Sequence, residues 1–166
     1  MTSHYKTGSD KSDWATPQAL FEKLDSEFRF NLDACATAAT AKCERYFSPE
    51  NDSLVQQWEG RVFMNPPYGR AIAAWVEKAF TARARCEVIV GLLPVRTDAR
   101  WWHEWVMKSS EIRFTVGRVG YLDPSNGVRG RANITFGSCI VVWRDAAVTF
   151  PVVSSFVLPN GAGRKP

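Results

Sequence analysis

Val62-Phe63-Met64-Asn65-Pro66-Pro67-Tyr68 decides how this chain is read. The first three residues are an apolar run suited to a buried strand, and the two prolines that follow cannot extend it. Proline has no N–H to donate to a ladder and holds φ at about −65°. The chain must therefore leave the sheet at Asn65, with its carbonyls unpaired and aimed beyond the strand end. An amide side chain, a free carbonyl and an aromatic ring then converge on one point. That arrangement suits a planar amino group, because two acceptors take its two protons while the ring stacks on the heterocycle. The same residues also suit a plain strand-ending turn, where Asn and Pro are common.

Outward from this stretch the chain alternates between helix and strand patterns. Trp14-Ala15-Thr16-Pro17 opens a helix, with Thr16 as N-cap and Pro17 at the first helical position. Leu20, Phe21, Leu24 and Phe28 give it an apolar stripe. Residues 28–33 alternate like a short strand that ends at Asp33. The small residues 34–41 follow, with little bulk to keep a ligand from the backbone. Residues 45–47 read as another short strand before the turn at 48–52. Beyond Gly69-Arg70, Ile72, Trp75, Val76, Ala79 and Phe80 mark an amphipathic helix. Residues 88–93 form a continuous apolar run, as in a strand covered on both faces. A helix over about 98–108 carries Trp101, Trp102, Trp105 and Val106, and residues 112–116 and 139–143 read as strands.

This alternation predicts a compact α/β sandwich with a mostly parallel sheet and a late antiparallel edge hairpin. Ligands of such sheets bind outside the carboxyl ends of the strands. Asp33 and Asn65 both sit at such ends, which predicts that they are neighbours.

A length of 166 residues suits one domain, taken as 14–158, between flexible tails at 1–13 and 159–166. Hydrophobic residues at 45% and seven tryptophans argue for a folded globule. The net charge of +4 is compatible with a polyanionic partner. Within 117–131, Arg118, Arg129 and Arg131 stand on a glycine-rich stretch, either a DNA-contacting hairpin or a solvated one. Four scattered cysteines without a CxxC pair, and only two histidines, argue against a metal site. The amino-terminal stretch has no apolar signal region and no run reaches a membrane span, so a cytoplasmic protein with reduced thiols is expected.

Three stretches in order now carry a resemblance: Trp14-Ala15-Thr16-Pro17 with Leu20-Phe21, Leu32-Asp33-Ala34-Cys35-Ala36, and Asn65-Pro66-Pro67-Tyr68. Together with Ala41-Lys42-Cys43, Tyr46-Phe47 and residues 58–68, they make the chain similar to phage-type, Dam-like DNA N6-adenine methyltransferases. These are amino-methyltransferases that use S-adenosylmethionine on a Rossmann-like sandwich, and the likeness covers about 14–145. It implies that Asn65, Pro66, Pro67 and Tyr68 are catalytic, Asn65 and the Pro66 carbonyl holding the target N6 and Tyr68 stacking on a flipped base. It implies that Trp14, Thr16 and Pro17 flank the methionine end of the cofactor and that Asp33 binds its ammonium group. The backbone of Cys35 and Ala36 would pass close to it, and Asp52 would accept from its adenine amino group. Double-stranded DNA is the implied partner, with no metal and no membrane, in a bacterial host cell that carries the phage or prophage.

The chain departs from the family pattern in two ways. No Gly-x-Gly follows Asp33, and the ribose-binding acid has no clear counterpart, Glu44 and Glu50 being the candidates. Arg70, Arg96 and Arg100 lie on the rim shared with Asn65 and are read as further DNA contacts. Other readings stay open. Asp33 also suits the cap of a following helix, Cys35 and Cys43 suit packing, and His103 lacks a triad partner. The catalytic motif also serves protein-glutamine and RNA methyltransferases, and a catalytically silent DNA-binding module is a third possibility.

Overall fold

Leu20, Phe21, Leu24 and Phe28 are all buried on one stripe of helix α1, Gln18–Phe28. The structure, a computed structural model, describes residues 14–163 apart from 126, 129–135 and 147. Pro17 is the N-cap of α1, one place later than the Thr16 that the sequence suggested, and no side chain caps the helix. The Thr16 hydroxyl is taken instead by the Asn65 amide. Arg29 ends α1 in the left-handed region at φ 51°, with its N–H on Asp25 O at 2.8 Å. That reversal shortens the first strand: β1 is Leu32–Asp33, where the alternation had suggested 28–33.

The remaining elements are β2 (Gly60–Met64), α2 (Ile72–Ala82), β3 (Cys86–Pro94), β4 (Glu111–Val116), β5 (Ser138–Trp143) and β6 (Val152–Val157). A π-helical turn over Trp102–Val106 replaces most of the helix expected at 98–108. The sheet order is β1-β2-β3-β5-β4-β6. Strands β1, β2 and β3 run parallel, β5 is antiparallel to both β3 and β4, and β6 is parallel to β4. The fold is thus the expected α/β sandwich, mostly parallel with a late antiparallel pair. Strand β6, added outside that pair, was not read from the sequence. Only its Phe156 is buried, while Val152, Val153 and Val157 are exposed, so the strand lacks an apolar-in, polar-out signal.

Period-two alternation splits the core into two layers. Val62 and Met64 of β2 and Ile89 and Leu93 of β3 face Trp75, Val76 and Ala79 of α2. Phe63, Val88, Val90 and Leu92 face the stripe of α1 on the other side. Trp58 anchors the α2 layer, its buried indole N–H on Ser53 O at 3.0 Å.

Two boundaries differ from the sequence reading. Residues 159–163, read as the start of a flexible tail, fold back: Gly120 N–H meets Ala162 O at 2.8 Å, Gly163 bridges Val119, and Ala162 is buried. The first half of the 117–131 segment is not a free hairpin either. Val119 and Tyr121 are buried, and Leu122 forms an antiparallel bridge with Ala15. Arg129 and Arg131 lie outside the described residues, as do 1–13 and 164–166.

Candidate active site

Strands β1 and β2 end side by side, Asp33 in register with Phe63, so the residues just beyond each strand share one rim. The chain turns away there for the reason given by Pro66 and Pro67, neither of which can donate to β3. A cavity of about 330 Å³ opens on this rim. Trp14, Thr16, Asp33, Cys35, Ala36, Asn65, Pro66 and Pro67 all line it. Thr37 and Thr40, within the small-residue stretch read as open to a ligand, line it too, and so do Phe63, Lys42, Pro49, Pro124 and Ser125, which were not singled out from the sequence. Pro124 and Ser125 reach it through the tight turn after Leu122, where Asp123 N–H meets Val128 O at 2.8 Å. Asp123-Pro124-Ser125 followed by Asn-Gly reads locally as a turn, but only the bridge from Leu122 to Ala15 brings it here.

Asn65 is held by its amino group. Its Nδ2 donates to Trp14 O at 2.6 Å and to Thr16 Oγ1 at 3.0 Å. A carbonyl oxygen can only accept, so the amide nitrogen must face Trp14 and Oδ1 must face the other way. Oδ1 is buried and has no hydrogen-bond partner among the described residues. An orphaned buried acceptor is costly, by about 1–3 kcal/mol, which points to a donor that arrives with a ligand.

Asp33 is 2% exposed, and its two oxygens accept the backbone N–H groups of Cys35 and Lys42, each at 3.1 Å. No helix follows it, so it caps a loop and closes the segment 34–42. Burial pushes its carboxyl up to about 6, against the opposing pull of those two N–H groups and of the Lys42 charge. The Lys42 ammonium, its own pKa lowered by burial, donates to Gln18 Oε1 at 2.9 Å.

Tyr68 leaves the first cavity and lines a second one of about 270 Å³, with Gly69, Ile72, Pro94, Arg96, Asp98, Ala99, Trp101 and Phe136. Its hydroxyl donates to Leu92 O at 2.9 Å, which obliges Tyr121 to donate to Tyr68 at 2.8 Å and Ser138 to donate to Tyr121 at 3.0 Å. Burial raises both phenol pKa values above the ordinary tyrosine range. The chain of hydroxyls fixes the ring, and the chemistry left to Tyr68 is that of its face.

Among the other residues named from the sequence, Pro17 caps α1 beside the first cavity but does not line it. Asp52 has a left-handed backbone and accepts the Leu54 N–H at 3.3 Å; it does not line the cavity, although Pro49 of the same turn does. Glu44 and Glu50 are exposed and line neither cavity. Beyond β1, the described residues contribute only the single parallel bridge from Asp33 to Tyr46, so no full strand carries a ribose-binding acid. Arg70, Arg96, Arg100 and Arg118 are exposed; Arg96 lies over the Phe136 ring at 5.9 Å, and Arg100 pairs with Glu104 at 2.6 Å. Among the described residues no group of three His, Cys, Asp or Glu could hold a metal ion, and no helix is long and apolar enough to cross a membrane.

A sheet of this order, with Asn-Pro-Pro-Tyr closing the strand beside the cavity, defines a Rossmann-like methyltransferase. The family model described as DNA N-6-adenine-methyltransferase (Dam) matches residues 3–159, and the chain belongs to that family. It is 30% identical over 131 residues to a DNA N-6-adenine-methyltransferase of Haemophilus phage HP1 (strain HP1c1), covering 76% of each chain. It is also 30% identical over 102 residues to a DNA N-6-adenine-methyltransferase of Escherichia phage T1, covering 60% of this chain and 42% of the relative. A third similarity, 33% over 63 residues, is to the putative methyltransferase YfdM of Escherichia coli (strain K12), covering 33% of this chain and 69% of the relative.

Proposed function

We propose that this chain transfers a methyl group from S-adenosylmethionine to the N6 of adenine in duplex DNA, acting on a base flipped out of the stack. The observation that carries the reading is Asn65 Oδ1, a buried acceptor with no partner among the described residues, at the end of β2. The residues around the first cavity fit the cofactor. Asp33 brings a buried carboxylate to the wall, Ala36 and Cys35 supply small side chains, and Phe63 and Pro49 supply apolar surface. A cavity of this size lies in the range of ligand sites, about 300–1,000 Å³. In this reading Asp33 faces the ammonium group, and Trp14, Thr16, Cys35 and Ala36 surround the methionine end. When bound, S-adenosylmethionine supplies an electrophilic methyl group.

The residues then have separate tasks. The adenine N6 lone pair is delocalised into its ring and is a poor nucleophile. Hydrogen bonds to Asn65 Oδ1 and the Pro66 carbonyl favour a tetrahedral nitrogen whose lone pair is available. Tyr68 offers its ring face to the base through the second cavity, with Phe136 and Trp101 as neighbouring walls. The gain comes from positioning and fixed dipoles, with no nucleophilic side chain. Flipping is required because N6 is otherwise engaged in pairing. The names of the two phage relatives support adenine in DNA over a glutamine amide or an RNA base, and over a silent DNA-binding module. Arg70, Arg96, Arg100, Arg118, Arg129 and Arg131 are proposed to meet the DNA backbone, in the cytoplasm of a bacterial host.

Asn65→Ala removes the acceptor together with the two hydrogen bonds that its amino group gives to Trp14 O and Thr16 Oγ1. Methyl transfer to DNA is expected to be lost while calorimetry still detects S-adenosylhomocysteine. An alanine variant that methylates DNA at the wild-type rate overturns the assignment.

A further inference from the structure

The end of β2 presents an amide, and the segment before α1 presents two acceptors that take both protons of its amino group. Trp14 O and Thr16 Oγ1 take the two protons of the Asn65 amino group, at 2.6 and 3.0 Å. Thr16 is 3% exposed. The segment that carries both acceptors is pinned on its other side, where Ala15 and Leu122 exchange backbone hydrogen bonds, each 2.9 Å long. That pairing holds the backbone of the segment through contacts independent of Asn65.

We propose that Trp14 and Thr16 act as a positioning clamp for Asn65, which orients its Oδ1 and makes the site demand asparagine over aspartate at this position. The inference rests on the reading of Asn65 as the acceptor for N6. With both protons engaged, the amide has one orientation, and Oδ1 keeps both lone pairs for an incoming amino group. Donation by both N–H groups also polarises the amide towards oxygen, which strengthens Oδ1 as an acceptor. Aspartate cannot replace this. A carboxylate here sets an anionic oxygen against the Trp14 carbonyl, an acceptor facing an acceptor in a shielded place. Only the protonated acid can donate to Trp14 O and still offer a carbonyl oxygen to the substrate.

The two partners of Asn65 contribute differently. Trp14 acts through its backbone, so no side-chain change removes its contribution. Thr16 acts through a hydroxyl, and Thr16→Val deletes that acceptor at nearly constant shape. Steady-state kinetics at saturating S-adenosylmethionine, with DNA varied, then separate positioning from binding. For Thr16→Val, kcat is expected to fall about tenfold, the equivalent of one lost hydrogen bond, with KM for DNA within about twofold. Thr16→Ser, which keeps the oxygen, is expected to restore most of the rate. A wild-type kcat in Thr16→Val, or an equal loss in Thr16→Ser, overturns the clamp.

A second variant guards against a valine that fails to fold. In Asn65→Asp, kcat is expected to rise as pH falls from about 8 to about 5, following protonation of the new carboxyl, while the wild type shows no such rise. An aspartate variant as active as wild type at pH 8, or one whose kcat shows no rise as pH falls, overturns the demand for asparagine. Asn65→Ala is the control: if it stays active, the role of Asn65 itself fails, whereas an inactive alanine variant beside a fully active Thr16→Val defeats the clamp alone.

Discussion

In the proposed reading, the buried carboxylate of Asp33 couples ligand binding to pH. Its pKa is raised from 3.8 to about 6, first by burial. A carboxyl raised on folding contributes stability that is full below its unfolded value and is lost as pH rises through about 6. Above that point the folded protein holds a charge it would rather not bury. An ammonium group placed beside Asp33 relieves this penalty, so a ligand that carries one binds better when the carboxyl is ionised. Calorimetry with S-adenosylhomocysteine is expected to show affinity rising about tenfold between pH 5 and 7, the ratio a single site of this pKa gives. Asp33→Asn should flatten that rise. A flat profile in the wild type contradicts contact between Asp33 and the ammonium group.

At the scale of elements, β2 carries both the core and the site, and its start depends on a glycine. Gly60 has φ +78°, and a Cβ there meets the Asn31 side chain at 2.7 Å. Asn31 cannot simply move aside, because its Oδ1 accepts the Arg61 N–H at 2.9 Å. Gly60→Ala combines left-handed strain with that collision and is expected to cost about 1–3 kcal/mol in urea denaturation. An unchanged midpoint contradicts the account of how β2 begins. The strands that hold the site were legible for simple reasons: residues 88–93 of β3 are an unbroken apolar run, and Pro66-Pro67 marks where β2 must stop. Strand β6 was not legible, because a strand exposed along most of its length leaves no pattern. The first strand was over-read because Phe28 and Phe30 alternate across what is really a helix end and a left-handed Arg29. Within the site, Asn65, Asp33 and Thr16 were legible as types at strand and helix ends. Pro124, Ser125 and Phe136 were not, since long-range pairing alone delivers them.

On the scale of the whole molecule, the Asn65–Tyr68 stretch contributes to two cavities, one lined by Asn65, Pro66 and Pro67 and the other by Tyr68. Exposed arginines at positions 70 and 96 stand beside the second cavity, on the side proposed to face DNA. Each phosphate neutralised releases counterions, so DNA affinity should fall with salt. Arg70→Ala and Arg96→Ala are each expected to weaken binding across sequences and to reduce the slope of log affinity against log salt by about 1. Unaltered slopes in both variants would remove these residues from the DNA interface.

The most direct test of the central claim is the identity of the methylated product. The protein is incubated with tritiated S-adenosylmethionine and unmethylated duplex DNA, and the DNA is digested to nucleosides. Label is expected in N6-methyldeoxyadenosine, and none above background with Asn65→Ala. Label in a cytosine nucleoside, transfer to RNA or protein in preference to DNA, or full activity without Asn65 contradicts the account.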